Sequence, residues 1–275
     1  MYAIDFEYDG RCLSDYGFMV CDFDYSSGID VVDAGSQITF DKVPRNRGKS
    51  YSLVNSTYDS CITTTFDICK NPDIYNKDDM VITNDEYRDL MRWLNRRTFL
   101  EFRMISDNCD FDKERETCFY NASFNIEKLI VAGDLVGLRL TMESDKPFGY
   151  GQAITTKWVF SNTNTPKIIS DLSDEVGYMY PDVTITVNRN GNLIIYNELM
   201  NCTTVINNCS VGEVITMKGQ EQIIATTYSS HDIMDDFNFE FFKLGNTLDE
   251  RNNKITVSIP CTMVITYAPI IKDTP

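Results

Sequence analysis

The chain has 275 residues, a formal net charge of −16, and 43% hydrophobic and 12% aromatic residues. This length and composition predict a globular protein of one or two domains and exclude a disordered tail. The negative charge disfavours nonspecific binding to nucleic acid or anionic membranes, and no stretch is long and apolar enough to span a bilayer. The opening residues, MYAIDFEYDG, lack the basic and apolar runs of a signal peptide, so we expect synthesis in a cytoplasm without export by that route.

The cysteine and histidine content argues against a metal centre and against nucleophilic catalysis. The nine cysteines form no C-x-x-C pair and His231 is the single histidine, so the usual zinc spacing is missing. We expect reduced cysteines that act as small hydrophobic residues. His231 lies in a polar loop, SSHDIMDD, without a nucleophile elbow. Carboxylate pairs are inevitable among 41 acidic residues, so the residues alone predict neither an enzyme nor a cofactor.

The chain begins with an alternating strand at residues 4–8 and a hairpin turn at Asp9-Gly10. The pattern then predicts a second strand at 13–23 with a kink at Gly17, a loop at 24–34 and a short strand at 37–40.

A turn-rich, basic segment follows at residues 43–51, with the sequence VPRNRGKSY. Its cationic residues are Arg45, Arg47 and Lys49, clustered in an otherwise acidic chain. A basic loop is usually a solvated surface, but the contrast with the overall charge makes docking on an acidic neighbour an equal alternative.

One helix is predicted, at residues 84–97, after a strand at 61–69. Thr83 and Glu86 have the spacing of a capping box. Apolar residues at i, i+3, i+4 and i+7 form a stripe that we expect to lie on a sheet. Trp93 lies off this stripe, so it is either the edge of the core or a contact for a neighbouring protein.

Strands are predicted at residues 99–105, 118–124 and 126–131, with an acidic loop at 107–116 between the first two. From residue 136 the apolar side chains alternate, which is typical of a half-buried strand. This strand stops at Pro147, which cannot donate to a sheet ladder, and Gly149 permits a sharp change of direction. We predict domains at 1–146 and 147–275, with Pro147, Phe148 and Gly149 as the hinge between them.

The second half predicts short strands and no helix. Alternation at 183–187, the dipeptide Asn190-Gly191 and a return at 193–196 predict one hairpin, and residues 214–226 predict another around Lys218-Gly219. Further strands are predicted at 157–160, 239–244, 255–259 and 263–267. Regular turns between short strands are typical of a β-sandwich.

In their order and spacing, these features resemble the distal tail proteins of long-tailed bacteriophages. The resemblance extends over nearly all of the chain. The segments that carry it are V-P-x-x-x-G at 43–48, R-W-L at 92–94, F-L-E-F at 99–102, F-Y-N-A at 119–122, P-F-G-Y at 147–150, Y-P-x-V-x-I at 180–185, G-E-V-I-T-M-K-G at 212–219 and F-F-K-L-G-N at 241–246. Residues 154–177 and 202–209 match less well.

This resemblance implies a mainly β fold, with an N-terminal β-sandwich or barrel-like domain that carries one helix and a C-terminal galectin-like antiparallel β-sandwich. It implies a structural virion protein of the tail tip, assembled in the bacterial host cytoplasm as a six-membered ring. The first domain would contact the tail tube protein and the tail-associated hub protein, and the second would carry baseplate or receptor-binding proteins. No catalytic residue, cofactor or metal is implied.

Two other functions stay open at this point. A pair of carbohydrate-binding modules could recognise host cell-surface glycans through exposed aromatic residues of the second domain. An enzyme is the third possibility, since a near absence of histidine does not exclude carboxylate chemistry.

Overall fold

The computed structural model describes residues 3–23, 37–106, 118–161 and 165–273. The chain divides into two compact units, Met1–Gly151 with Ile271–Pro275, and Gln152–Ile270. Both are built mainly of antiparallel strands, so the mainly β prediction is confirmed. The loops predicted at 24–34 and 107–116 lie outside the described residues.

The first unit has one large sheet and a separate hairpin. Its described strands are β1 Ala3–Tyr8, β2 Arg11–Cys12, β3 Phe18–Cys21, β4 Ile38–Arg45, β5 Ser50–Tyr58, β6 Thr63–Lys70, β7 Leu100–Ser106, β8 Tyr120–Val131, β9 Asp134–Ser144 and β10 Gly149–Tyr150. Seven strands form the sheet in the order β2-β1-β7-β8-β9-β6-β3, whereas β4 and β5 pair only with each other.

Alternation along β9 places one face of this sheet in the core. Leu138, Leu140 and Met142 are fully buried, as the period of two predicts. They belong to one buried cluster with aromatic side chains of other strands of the sheet, among them Phe6 and Phe124. The turn at Asp9-Gly10 is also confirmed: both residues have positive φ, 52° and 70°, and β1 and β2 pair across it.

Helix α1, Asn84–Leu94, packs on this core through its buried side chains Leu90, Trp93 and Leu94. The capping box is confirmed, because Thr83 Oγ1 accepts from the Glu86 amide at 3.3 Å and Glu86 Oε2 accepts from the Thr83 amide at 2.7 Å. The helix ends at Leu94, three residues before the predicted end. No helix in the described part of the chain is long and apolar enough to cross a membrane.

Three predictions in this unit need correction. Leu13–Tyr16 forms a 3-10 turn that ends at Gly17, whose φ of 77° breaks the predicted strand. Only Phe18–Cys21 continues as a strand. The two strands predicted at 118–124 and 126–131 are one long strand, β8, that pairs with β9 along almost its whole length. The basic segment at 43–51 is the tip of a hairpin, not an isolated loop.

The second unit is a β-sandwich, as predicted. Its strands within the described residues are β11 Ile154–Phe160, β12 Lys167–Ser170, β13 Gly177–Met179, β14 Asp182–Val187, β15 Gly191–Asn197, β16 Cys202–Cys209, β17 Val214–Lys218, β18 Ile223–Thr226, β19 Leu244–Asn246, β20 Asn252–Val257 and β21 Cys261–Tyr267; β22 is Ile270–Ile271 at its boundary. Sheets β11-β21-β14-β17-β18 and β12-β20-β15-β16 enclose a shared core.

Three predictions in this unit are wrong. The strand predicted at 239–244 does not form over most of that range, because only Leu244 lies in a strand, β19. Asn190-Gly191 does not join a hairpin, because β14 and β15 belong to different sheets and the chain crosses from one layer to the other between them. A turn dipeptide indicates a reversal, but it does not fix which sheet receives the next strand. The unit also contains a short helix, α2 Ile233–Asp236, where none was predicted.

Candidate functional site

The three basic residues of the predicted docking segment lie at the tip of the β4–β5 hairpin. Arg45 ends β4, Arg47 lies in the turn, and Lys49 immediately precedes β5. The turn uses three consecutive residues with positive φ, at 50°, 55° and 84° for residues 46–48. All three basic side chains are exposed, and none forms an ion pair with any described residue. Their charges are therefore available to a partner.

The hairpin behind this tip exposes an apolar face. Cross-strand pairing places Lys42 opposite Leu53 and Pro44 opposite Tyr51. Phe40, Tyr51 and Leu53 line a shallow depression with the stem of Lys42. These three apolar side chains are 50%, 65% and 58% exposed, and every residue of β4 is exposed. In the second half of the hairpin the bulge at Val54, itself 65% exposed, interrupts the register.

Such a hairpin is poorly supported by its own unit. Two-stranded hairpins in water are marginally stable without a third strand or a packed face. Contacts support it at its base, where the Asp59 amide donates to the Gln37 carbonyl at 2.8 Å and the Tyr58 ring packs edge-on against Phe148. Large exposed apolar surface of this kind is typical of protein–protein contact sites.

Trp93, the other predicted contact residue, belongs to the core. Its indole is 4% exposed, stacks on Tyr16 with ring centroids 4.6 Å apart, and donates from Nε1 to the Tyr8 carbonyl at 3.1 Å. Of the two alternatives that its sequence position left open, the geometry favours core packing.

The predicted hinge residues all lie within the first compact unit. Gly149 approaches Cys118 and Tyr120 so closely that a Cβ at this position would collide with both side chains. Phe148 packs on Tyr58, and the Lys146 carbonyl before Pro147 accepts from Ser144 Oγ at 2.5 Å. A role of these residues as a hinge stays a prediction.

A buried polar cluster in the second unit was not foreseen. His231 Nδ1 lies 2.5 Å from Oε1 of the fully buried Glu213, and Nε2 lies 3.3 Å from Oδ2 of Asp236. Glu213 also accepts from the Ser210 amide at 2.8 Å and from the Thr226 hydroxyl. Glu213 precedes β17, His231 lies in the turn before α2, and Asp236 is the last residue of α2. No local sequence pattern therefore indicates the cluster.

This cluster has the features of a structural clamp. Burial alone would raise the pKa of Glu213, but hydrogen bonds from Ser210, Thr226 and His231 outweigh it and hold that pKa below its usual value. Nδ1 of the imidazole contacts Glu213 and Nε2 lies near Asp236, and among the described residues no hydroxyl or thiol hydrogen-bonds to either nitrogen for the imidazole to activate. Within the described residues, no group of three His, Cys, Asp or Glu side chains could hold a metal ion.

No curated protein matches the chain. The crystal structure of the Dit (gp 19.1) protein of phage SPP1, described as a paradigm of the hub adsorption apparatus in phages that infect Gram-positive bacteria, is similar in fold. The TM-score is 0.67 at 14% identity, over 97% of this chain and 99% of that chain.

Two family models match the chain, one for each half. A phage tail protein N-terminal domain matches residues 1–146, and a phage tail C-terminal domain matches residues 148–267. Because these matches together span almost the whole sequence, the chain belongs to this family of phage tail proteins.

Proposed function

We propose that this protein is a structural component of the distal end of a long phage tail, where it forms a ring that joins the tail tube to the baseplate. The family match and the fold shared with SPP1 Dit support a tail protein. The observation that carries the assembly role is the β4–β5 hairpin, whose exposed apolar face needs a partner to cover it.

In this proposal the hairpin docks on another copy of the chain. Full burial of a large apolar side chain contributes about 1.5–3 kcal/mol, and three such residues lie on the face defined by Phe40, Tyr51 and Leu53. The basic tip complements the acidic surface expected of a chain with net charge −16. We propose six copies, with the tail tube protein, the tail-associated hub protein and the receptor-binding or baseplate proteins as further partners.

The acidic composition suits such a ring. Six copies of a chain at −16 would carry about −100 charges. We propose that part of this excess lines the lumen, because like charge would let DNA pass without adhering. A ring structure with a neutral or basic lumen would contradict this part of the proposal.

The role is non-enzymatic in this account, and the place of action is the tail tip of the virion after assembly in the host cytoplasm. The buried His231–Glu213–Asp236 cluster then stabilises the second unit. We assign no cofactor.

The proposal is tested by the mass of the purified protein in solution. Leu53→Asp places a charge on the exposed hairpin face and should shift the protein from ring to a folded monomer, because Leu53 is 58% exposed and is not part of the core of its own unit. Leu248→Asp is the matched control, since Leu248 is 89% exposed in the second unit, and it should leave the ring intact. A monomeric wild type, or a ring unaffected by Leu53→Asp, would contradict the hairpin as the ring contact.

One observation favours the alternative, a reader of host cell-surface glycans. Tyr178 is 58% exposed in the second unit and packs edge-on against Tyr180, an arrangement that could stack on a sugar. Lys243 lies over the same ring at 5.1 Å and occupies part of it. Binding of the isolated protein to host cell-wall polysaccharide, lost in Tyr178→Ala, would favour the glycan reader over a scaffold.

A further inference from the structure

An arginine-lined cleft on the first unit is not explained by ring formation through the hairpin. Arg11 of β2, Arg92 of α1 and Arg96 just after the helix line one cleft of about 420 Å³. Three guanidinium groups, one from β2 and two at the C-terminal end of α1, therefore converge in a chain whose acidic residues outnumber its basic ones by 41 to 25. We propose that this cleft binds a carboxylate-bearing peptide segment of a neighbouring protein.

The guanidinium groups are only weakly engaged by the protein itself. Arg92 is exposed and has no hydrogen bond or ion pair with any described residue. Arg11 donates from Nη1 to the Tyr16 hydroxyl at 2.9 Å, which leaves its other N–H groups open. Arg96 pairs with Asp9 at 3.3 Å, but both side chains are more than 40% exposed, and exposed pairs contribute about 0–1 kcal/mol. An incoming carboxylate can therefore compete for these donors.

The floor of the cleft is rigid. Tyr16 and Trp93 stack there with an interplanar angle of 17°, and the Trp93 indole is fixed by its hydrogen bond to the Tyr8 carbonyl. Arg92 immediately precedes Trp93 on the helix, so its backbone is held by the same packing. A preorganised floor lowers the entropy that must be lost when a ligand binds.

The chemistry of the cleft favours carboxylates over phosphate. Guanidinium forks match the oxygens of a carboxylate or a phosphate, and each such charged hydrogen bond is stronger than a neutral one, so the charge balance of the cleft decides between the two. Asp9 and Asp89 line the same cleft, which leaves a net charge of about +1 from three arginines and two aspartates. That balance suits a singly charged carboxylate better than a doubly charged phosphate or the backbone of a nucleic acid, which the overall charge of −16 also repels.

Tryptophan fluorescence gives a direct test, because the chain has two tryptophans and one lies in the cleft floor. In a Trp158→Phe background, Trp93 is the remaining reporter. Titration with a short blocked peptide that carries a single glutamate should give a saturable change in its emission. Arg92→Glu should weaken binding by about tenfold or more, the effect of losing charged hydrogen bonds. Arg189→Glu makes the same charge change on an exposed site of the second unit and should leave the affinity unchanged.

Three outcomes would overturn the proposal: no saturable binding, equal loss in Arg92→Glu and Arg189→Glu, or binding of inorganic phosphate at least as tight as binding of the peptide. If Arg92→Glu does not fold, Arg92→Gln serves in its place, since it removes the charge and keeps a polar side chain. The inference rests on the proposed function only in assuming that neighbouring tail proteins supply the segment. Because the peptide assay uses the purified chain, its failure is distinguishable from failure of the ring, which the mass measurement of Leu53→Asp reports.

Discussion

At the scale of single residues, the second unit depends on a carboxylate that is buried and fully engaged. Glu213 has no exposed surface and joins the β17–β18 hairpin to the turn that carries His231. A buried charge without partners is costly, whereas one with several hydrogen bonds can be stable. The Ser210 amide, the Thr226 hydroxyl and His231 supply those bonds.

Glu213→Gln should therefore reduce stability in a pH-dependent way. At pH 7 we expect a loss of about 1–3 kcal/mol, since the neutral amide cannot accept all these bonds. Folding lowers the pKa of Glu213 from its ordinary value of 4.5, so its contribution is fully present above that value and is lost as pH falls through the folded pKa. The difference between wild type and variant should thus shrink below pH 4.5. Denaturant unfolding followed by Trp158 emission at pH 7 and at pH 3.5 measures this, and a constant difference would contradict it.

Residue patterns predicted burial well where it depends on local alternation and poorly where it depends on distant partners. The alternation of Leu138, Leu140 and Met142 is visible in the sequence and is confirmed. Trp93 lies off the apolar stripe of its helix, yet it is buried because Tyr16 and Tyr8 cover it from other elements. The His231 cluster joins residues that are 18 and 5 positions apart along the chain, so periodicity could not reveal it.

At the scale of elements, local signals identified caps and turns but not strand partners. The capping box of α1 is a short-range pattern and is confirmed by its hydrogen bonds. Asn190-Gly191 has an equally strong turn pattern, but β14 and β15 join different sheets, a choice set by packing in the shared core. The basic segment at 43–51 is visible in the sequence as a cluster of charges. The full length of the strands β4 and β5 that carry it is not visible, because neither strand has a buried face that would give alternation.

The hairpin tip can be tested as an element by charge reversal. Replacing Arg45, Arg47 and Lys49 together by Glu should prevent assembly of tails, because the tip would then repel the acidic surface on which we propose it docks. The same change at Lys157, Arg189 and Arg251, three exposed basic residues of the second unit, is the matched control and should be tolerated.

Tail assembly in cells that supply only the variant protein, followed by electron microscopy of the particles, measures the outcome. Intact tails from the tip variant would show that the three basic residues are not a docking element. Failure of both the tip variant and the control variant would point to the change of about six units in net charge and not to a specific contact. That outcome would also count against the proposed role of the tip.

At the scale of the whole molecule, the two compact β units and the exposed surfaces of the first unit are consistent with a structural component of the phage tail. The first unit supplies the exposed hairpin and the arginine cleft, and the second is a sandwich stabilised by its own core and buried polar cluster. The two family models meet close to Pro147, where the seam was predicted from the end of the long strand. The sequence could not specify partners, since these depend on surfaces of other proteins.

The most direct test of the central claim is the position of this protein in the intact virion. Antibodies raised against the purified protein, coupled to gold and viewed by electron microscopy, should label the end of the tail farthest from the capsid. Gold along the length of the tube, on the capsid, or absent from purified particles would contradict a distal tail component.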